Sequence, residues 1–169
     1  MTKAVGLALI LLAALLYAAR RTRDIRQRYD ALHSFCRMLE QMHGILEVQA
    51  PPMPELLNAL SGRCTGPASR FAAQLSASMD SLGAESFSAL WKQALPEVRE
   101  LDRDALLELE ALGGILGRYD LKTQLDAVNA CFCSLRQQRE TVQKALPQAK
   151  RLTYGISLCA ALLLGIILI

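Results

Sequence analysis

The sequence has few of the side chains that most often build catalytic and nucleic-acid-binding sites. Aromatic residues make up 5% of the chain, and His33 and His43 are its two histidines. No P-loop, HExxH, GxSxG or dinucleotide-binding motif is present. The net charge of +3 is too small to indicate nucleic-acid binding by itself. These absences predict a protein that is not an enzyme and that binds no cofactor, metal, nucleic acid or small-molecule substrate.

Cysteines are present, but not in the numbers or spacings of a disulfide framework or a zinc site. The five cysteines are Cys36, Cys64, Cys131, Cys133 and Cys159. Their number is odd, CxxC spacing is absent, and residues two apart in a helix point in different directions. The pattern predicts reduced cysteines, mostly buried in helices, in a cytosolic compartment.

The residues that are abundant favour helices. Ala, Leu, Gln, Glu and Arg dominate, and runs of β-branched residues are scarce. Hydrophobic residues make up 52% of the 169 residues, and the mean hydropathy is +0.21. Since 21% of the residues are charged, there is also a substantial water-facing surface. The composition predicts an all-α protein in which some segments prefer lipid.

The first segment of this kind is AVGLALILLAALLYAA, residues 4–19. As a helix it spans about 24 Å, and snorkelling of Arg20 and Arg21 compensates for the missing length in a bilayer. A cleavable signal peptide is the main alternative, but cleavage after Ala19 places Tyr17 at the −3 position, which small residues normally occupy. A basic arm for nucleic acid is a third alternative. We predict an uncleaved transmembrane anchor over residues 1–19.

A second apolar segment, LTYGISLCAALLLGIILI, covers residues 152–169. It spans about 27 Å as a helix and follows directly after Lys150 and Arg151. The alternative is a buried C-terminal core helix. We predict a C-terminal transmembrane anchor, which leaves residues 20–151 as a helical bundle between the two anchors.

The basic residues predict the orientation of both anchors. Arg20, Arg21, Arg23, Arg26 and Arg28 flank the inner end of the first, and Lys144, Lys150 and Arg151 flank the inner end of the second. Positive charge is retained on the cytosolic side of membrane helices. Both termini are therefore expected outside and the bundle inside, with Arg20, Arg21, Arg23, Lys150 and Arg151 at the membrane interface in contact with lipid.

Apolar periodicity predicts an antiparallel helical bundle, which consists of two long helices with short helices between them. A heptad stripe from Ile25 to Leu46 predicts that the first anchor continues as one helix until residues 44–49, where APPMP ends it. Short helices are predicted around residues 54–63, 66–80, 85–98 and 102–117. Asp102 and Asp120 are predicted N-caps, and the glycines of GGILG are expected to end the fourth short helix.

The combination of these features resembles the stage III sporulation protein AB family of endospore-forming bacteria. The shared features are a short anchor followed by basic RTRDIRQ, a Pro-interrupted helical middle and a final anchor with almost no tail. The family's F…W…AL pattern corresponds to Phe87, Trp91, Ala94 and Leu95. Its Leu-Gly-x-x-Asp turn corresponds to Leu116, Gly117 and Asp120, and a long Gln-rich helix follows.

The resemblance implies a non-enzymatic membrane part of the channel complex between mother cell and forespore. It implies a cytosolic domain similar to that of the inner-membrane platform proteins of type II secretion and type IV pilus systems. The implied partners are the complex's secretion-type ATPase, stage III sporulation protein AA, and the other membrane components of the complex. A small membrane-anchored regulator or enzyme, or an exported helical bundle, remains the alternative.

Partner contacts are expected at the end of the bundle distant from the membrane. If both long helices are rooted in the bilayer, that end holds roughly residues 43–54 and 116–122. The predicted contact residues are Glu47, Glu55 and Arg118. Charge reversal at each is expected to weaken partner binding without unfolding the bundle.

Overall fold

The computed structural model consists of helices joined by short turns. It describes residues 2–81 and 85–168, without the side chains of residues 2–11, 14–15, 18, 146–154 and 156–168. The helices are α1 (Thr2–Val48), α2 (Met53–Arg63), α3 (Pro67–Ala77), α4 (Phe87–Ala94), α5 (Arg103–Ile115) and α6 (Leu121–Leu168). Two 3₁₀ turns, Ser78–Ser81 and Leu95–Glu97, follow α3 and α4. No strand occurs among the described residues, so the all-α prediction is confirmed for them.

The end of the first long helix and the start of the second lie where the sequence predicts. α1 ends at Val48, just before the prolines, and α6 begins at Leu121, directly after the Asp120 cap. Two compact units share these helices. One comprises Met1–Gln27 with Thr141–Ile169, and the other comprises Arg28–Glu140. Because the second unit contains parts of both long helices and all four short ones, the core and the sites described below belong to it.

Within the described part of the chain, no helix combines the length and the apolarity that a membrane crossing needs. Most of the side chains that form the two predicted anchors, residues 4–11 and 156–169, lie outside the described residues.

The core of the unit Arg28–Glu140 is a set of leucines around a row of aromatic rings. The predicted stripe of α1 is buried at Leu32, Cys36, Leu39 and Leu46. The ring of Phe35 lies 5.6 Å from that of Phe71, and the ring of Phe71 meets Trp91 edge-on at 4.9 Å. This edge-to-face arrangement is the preferred one for aromatic rings. The row therefore joins α1, α3 and α4, which are far apart in sequence.

The structure corrects the role of the glycines at the end of α5. The helix continues through Gly113 and Gly114 to Ile115, so these residues do not break it. A Cβ on Gly113 would lie 2.2 Å from Cδ1 of Trp91, whose indole N–H donates a 2.7 Å hydrogen bond to the carbonyl of Leu109. Gly113 is therefore a packing glycine that lets Trp91 lie against α5. The chain turns instead at Gly117, where φ is +74°.

Capping in this unit depends partly on long-range contacts. Asp102 occupies the N-cap position of α5, as predicted, but its side chain makes no cap hydrogen bond. It forms an ion pair with Arg28 of α1 instead. α3 begins after Gly66, which has no side chain to cap the helix, and the buried hydroxyl of Ser34 on α1 accepts a hydrogen bond from the N–H of Ala68 at 3.3 Å. Both contacts tie α1 to the first turn of a short helix.

Candidate docking surface

Three large apolar side chains are exposed near the end of α1 and the start of α6. Val48 is 79% exposed, Tyr119 56% and Leu121 39%. The turn between α5 and α6 reaches the start of α2, since a Cβ on Gly117 would lie 3.4 Å from Cγ of Met53. Val48, Tyr119 and Leu121 thus belong to one end of the unit, and we call them the tip surface. Large apolar side chains held in water at one end of a domain are typical of a protein-binding surface.

The turn that carries Tyr119 is held by side chains of the first turn of α6. The amide of Gln124 donates to the carbonyl of Tyr119 at 2.7 Å, and its oxygen accepts from the N–H of Gly117 at 3.2 Å. Asp120 accepts from both the N–H and the hydroxyl of Thr123. These two hydrogen bonds lower the pKa of the Asp120 carboxyl, and the bond from the Thr123 hydroxyl has the larger effect. The turn is therefore preorganised, which reduces the entropy cost of binding through Tyr119.

The predicted contact residues Glu47, Glu55 and Arg118 are all exposed in this part of the unit. Glu47 precedes Val48 at the end of α1, Glu55 lies in the first turn of α2, and Arg118 precedes Tyr119. The Nδ1 atom of His43 lies 3.8 Å from the carboxylate of Glu47, one turn away on α1. These residues form a charged rim beside the tip surface, and their role in binding stays a prediction.

Sequence reasoning did not select the apolar members of the tip surface. The predicted distal ranges, residues 43–54 and 116–122, contain Val48, Tyr119 and Leu121, but the contact residues predicted within them were the charged Glu47, Glu55 and Arg118. A usable signal was present in GRYDLK, where two large apolar residues stand in a polar turn with a glycine and an N-cap aspartate. Residues held in such a turn lack a neighbouring element to cover them.

A second surface feature lies along the two long helices. Leu39, Glu40 and His43 of α1 face Val128, Asn129 and Phe132 of α6 around a notch of about 170 Å³. Leu39 and Val128 are fully buried, Phe132 is half-buried, and Glu40 and Asn129 are exposed. The notch therefore has an apolar floor and a polar rim.

The cysteines do not form a reactive centre in the described residues. Cys36 and Cys131 are buried, Cys64 is half-buried and Cys133 is exposed. Burial raises the pKa of the Cys131 thiol to about 12, and burial also raises the pKa of Cys36 against the opposing effect of Arg139. Thiols with raised pKa values are poor nucleophiles and poor metal ligands. No group of His, Cys, Asp and Glu with the geometry of a metal site occurs in the described part of the chain.

Three of the predicted membrane-interface residues are described. Arg20, Arg21 and Arg23 are exposed on α1. The side chains of Lys150 and Arg151 lie outside the described residues. The three exposed arginines follow Leu16 and Tyr17, which are 56% and 68% exposed. An apolar helix face followed by arginines is the arrangement that the prediction of a membrane interface requires.

The fold defines a class of protein: an all-α protein with two very long helices and a small helical core. The family model of stage III sporulation protein AB matches residues 3–169. The chain therefore belongs to the stage III sporulation protein AB family, a sporulation family of endospore-forming bacteria, and the resemblance seen in the sequence is confirmed.

A solved structure has the same fold. It is a structure of stage III sporulation protein AB, which is 22% identical to this chain and superposes with a TM-score of 0.53. The similarity covers 73% of this chain and 94% of the solved one. No curated protein sequence matches the chain.

Proposed function

We propose that this protein is a non-enzymatic platform component of the sporulation channel complex between mother cell and forespore. In this role its tip surface docks the secretion-type ATPase of the complex, stage III sporulation protein AA, and its other neighbours are membrane components of the same complex. The observation that carries the proposal is the exposure of Val48, Tyr119 and Leu121 at one end of a well-packed unit. Family membership supports the sporulation role.

The proposal includes membrane attachment on the mother-cell side. Residues 1–19 and 152–169 serve as anchors, and residues 20–151 form the cytosolic bundle. The support comes from the two uncharged apolar segments and from the arginines and lysines beside their inner ends. This arrangement leaves the tip surface in the cytosol, where a soluble ATPase has access to it.

Binding of the purified ATPase to the full chain in lipid nanodiscs tests the docking role. Tyr119→Ala is expected to weaken binding by about tenfold or more, because exposed aromatic residues on preorganised turns are typical hot spots. Leu107→Ala is the matched control, since Leu107 is 53% exposed on α5 and is not part of the tip surface. Equal affinities of the wild type and Tyr119→Ala would contradict the proposal.

Charge-reversal substitutions in the charged rim give a second, independent test in the same ATPase-binding assay. Glu47→Lys, Glu55→Lys and Arg118→Glu are each expected to weaken binding and to make it less sensitive to salt, because each reversal removes an attraction that speeds association and that salt screens. Unchanged circular dichroism would show that the bundle remains folded. Normal binding by all three variants would place the partner elsewhere on the unit.

A further inference from the structure

The notch between α1 and α6 has the chemistry of a receptor for one kind of side chain. Leu39 and Val128 form an apolar floor at the base of about 170 Å³ of open space, and the ring of Phe132 lines one side. Glu40 and Asn129 stand at the rim and are exposed. An apolar floor below a polar rim suits a side chain with an aliphatic stem and a polar head.

The residues at the rim of the notch determine which charge the polar head of a bound side chain should carry. Glu40 forms no ion pair and Asn129 forms no hydrogen bond with other side chains in the described part of the chain. The neighbouring His43 is instead within 3.8 Å of Glu47, one turn further along α1. A carboxylate and an amide oxygen are therefore available as acceptors above the notch, and the carboxylate favours a cationic donor.

Arginine fits this site better than lysine does. Its planar guanidinium stacks on an aromatic ring such as Phe132 while it donates several hydrogen bonds in one plane, which a lysine ammonium does not do. Its three methylene groups cover an apolar floor. We infer that the notch receives an arginine side chain from a partner protein.

The inference rests on the proposed docking role, which it makes more specific. Val128 lies seven residues after Leu121 on α6, about 10 Å along the helix axis. One partner that covers the tip surface therefore reaches the notch. The arginine would fix the register of that partner on the unit, because a buried stem and a paired guanidinium tolerate little displacement.

Two blocked pentapeptides with a central residue flanked by alanines test the inference. One carries arginine and the other carries citrulline, which has the same shape without the charge. In nuclear magnetic resonance titrations of the full chain in detergent micelles, the arginine peptide is expected to shift the signals of Asn129 and Phe132 saturably. The citrulline peptide is expected to bind about tenfold more weakly or not at all.

Variants assign the effect to the notch. Glu40→Gln is expected to weaken binding of the arginine peptide about tenfold and to leave the citrulline peptide unchanged. Glu97→Gln removes the same charge at an exposed position outside both the notch and the charged rim, and it is expected to have little effect. Asn129→Trp, at an exposed position, is expected to fill the notch and abolish binding.

The inference is wrong if the two peptides bind equally, if neither gives a saturable shift, or if Glu40→Gln and Glu97→Gln behave alike. These results are separable from a failure of the docking role. If Tyr119→Ala weakens ATPase binding while the arginine and citrulline peptides bind alike, the docking proposal is supported and the inference about the notch is wrong. If the peptides differ as expected while Tyr119→Ala binds the ATPase normally, the notch stands and docking at the tip surface does not.

Discussion

At the scale of single residues, the core depends on one close approach between Trp91 and α5. The indole is fully buried, and its N–H is satisfied by the carbonyl of Leu109. The approach is possible because Gly113 presents only a hydrogen atom where any other residue would place a carbon 2.2 Å from the ring. Glycine normally destabilises a helix, but at position 113 it stabilises the protein because it allows Trp91 to pack against α5.

The pair Gly113 and Gly114 tests this argument with opposite signs. Gly113→Ala is expected to destabilise the protein by about 1–3 kcal/mol, because the ring must move within a packed core. Gly114→Ala is expected to stabilise it by about 0.5–1 kcal/mol, because nothing lies within 4 Å of its added Cβ and alanine is the better helix former. Urea unfolding followed by Trp91 fluorescence measures both. Stabilisation by both substitutions would refute the packing role of Gly113.

At the scale of helices, the ends are set in two different ways. The start of α6 is local, since Asp120, Thr123 and Gln124 are close in sequence and satisfy one another. The start of α3 is not local, because Ser34 reaches it from another helix. A locally capped helix keeps its boundary whatever packs against it, whereas the start of α3 depends on α1 being in place.

The clamp formed by Gln124 gives a prediction at this scale. Gln124→Ala removes the acceptor of the Gly117 N–H and the donor to the Tyr119 carbonyl, so the turn is expected to loosen while α6 remains folded. Amide hydrogen exchange at Gly117 is expected to become several-fold faster, as the loss of one hydrogen bond of about 1 kcal/mol requires.

Thr123→Val is the matched control for this clamp. It removes the hydroxyl bond to Asp120 but leaves both contacts of Gln124, so exchange at Gly117 is expected to stay unchanged. ATPase binding is expected to fall for Gln124→Ala more than for Thr123→Val. Identical exchange rates in Gln124→Ala and the wild type would mean that Gln124 does not organise the turn.

At the scale of the whole molecule, charge and apolarity are segregated along the chain. The apolar segments lie at the two ends and the basic clusters lie just inside them, so the proposed topology leaves little freedom in orientation. The tip surface is useful to a cytosolic motor only in that orientation.

Accessibility of single cysteines tests the topology. In a background without the native cysteines, substitutions Thr2→Cys, Ser81→Cys and Ile169→Cys place one thiol at each end and one in the bundle. A membrane-impermeant thiol reagent added to intact cells is expected to label the two termini and not position 81. Labelling at position 81 would place the bundle outside and end the ATPase-docking proposal.

Much of the fold follows from local sequence alone. The end of α1, the start of α6, the buried stripe of α1 and the Asp120 cap depend on periodicity and on residues within one turn of each other, so the sequence by itself determined them. The family resemblance also rests on such local features and their order.

Tertiary structure decided the rest. Only contacts between distant residues show that Gly113 accommodates Trp91, that Ser34 caps α3, and that Asp102 pairs with Arg28. The tip surface and the notch likewise depend on which apolar side chains remain uncovered after the helices pack. Periodicity shows which residues form the apolar face of a helix. Only the neighbouring helices in the packed structure decide whether that face is buried or remains exposed to bind a partner.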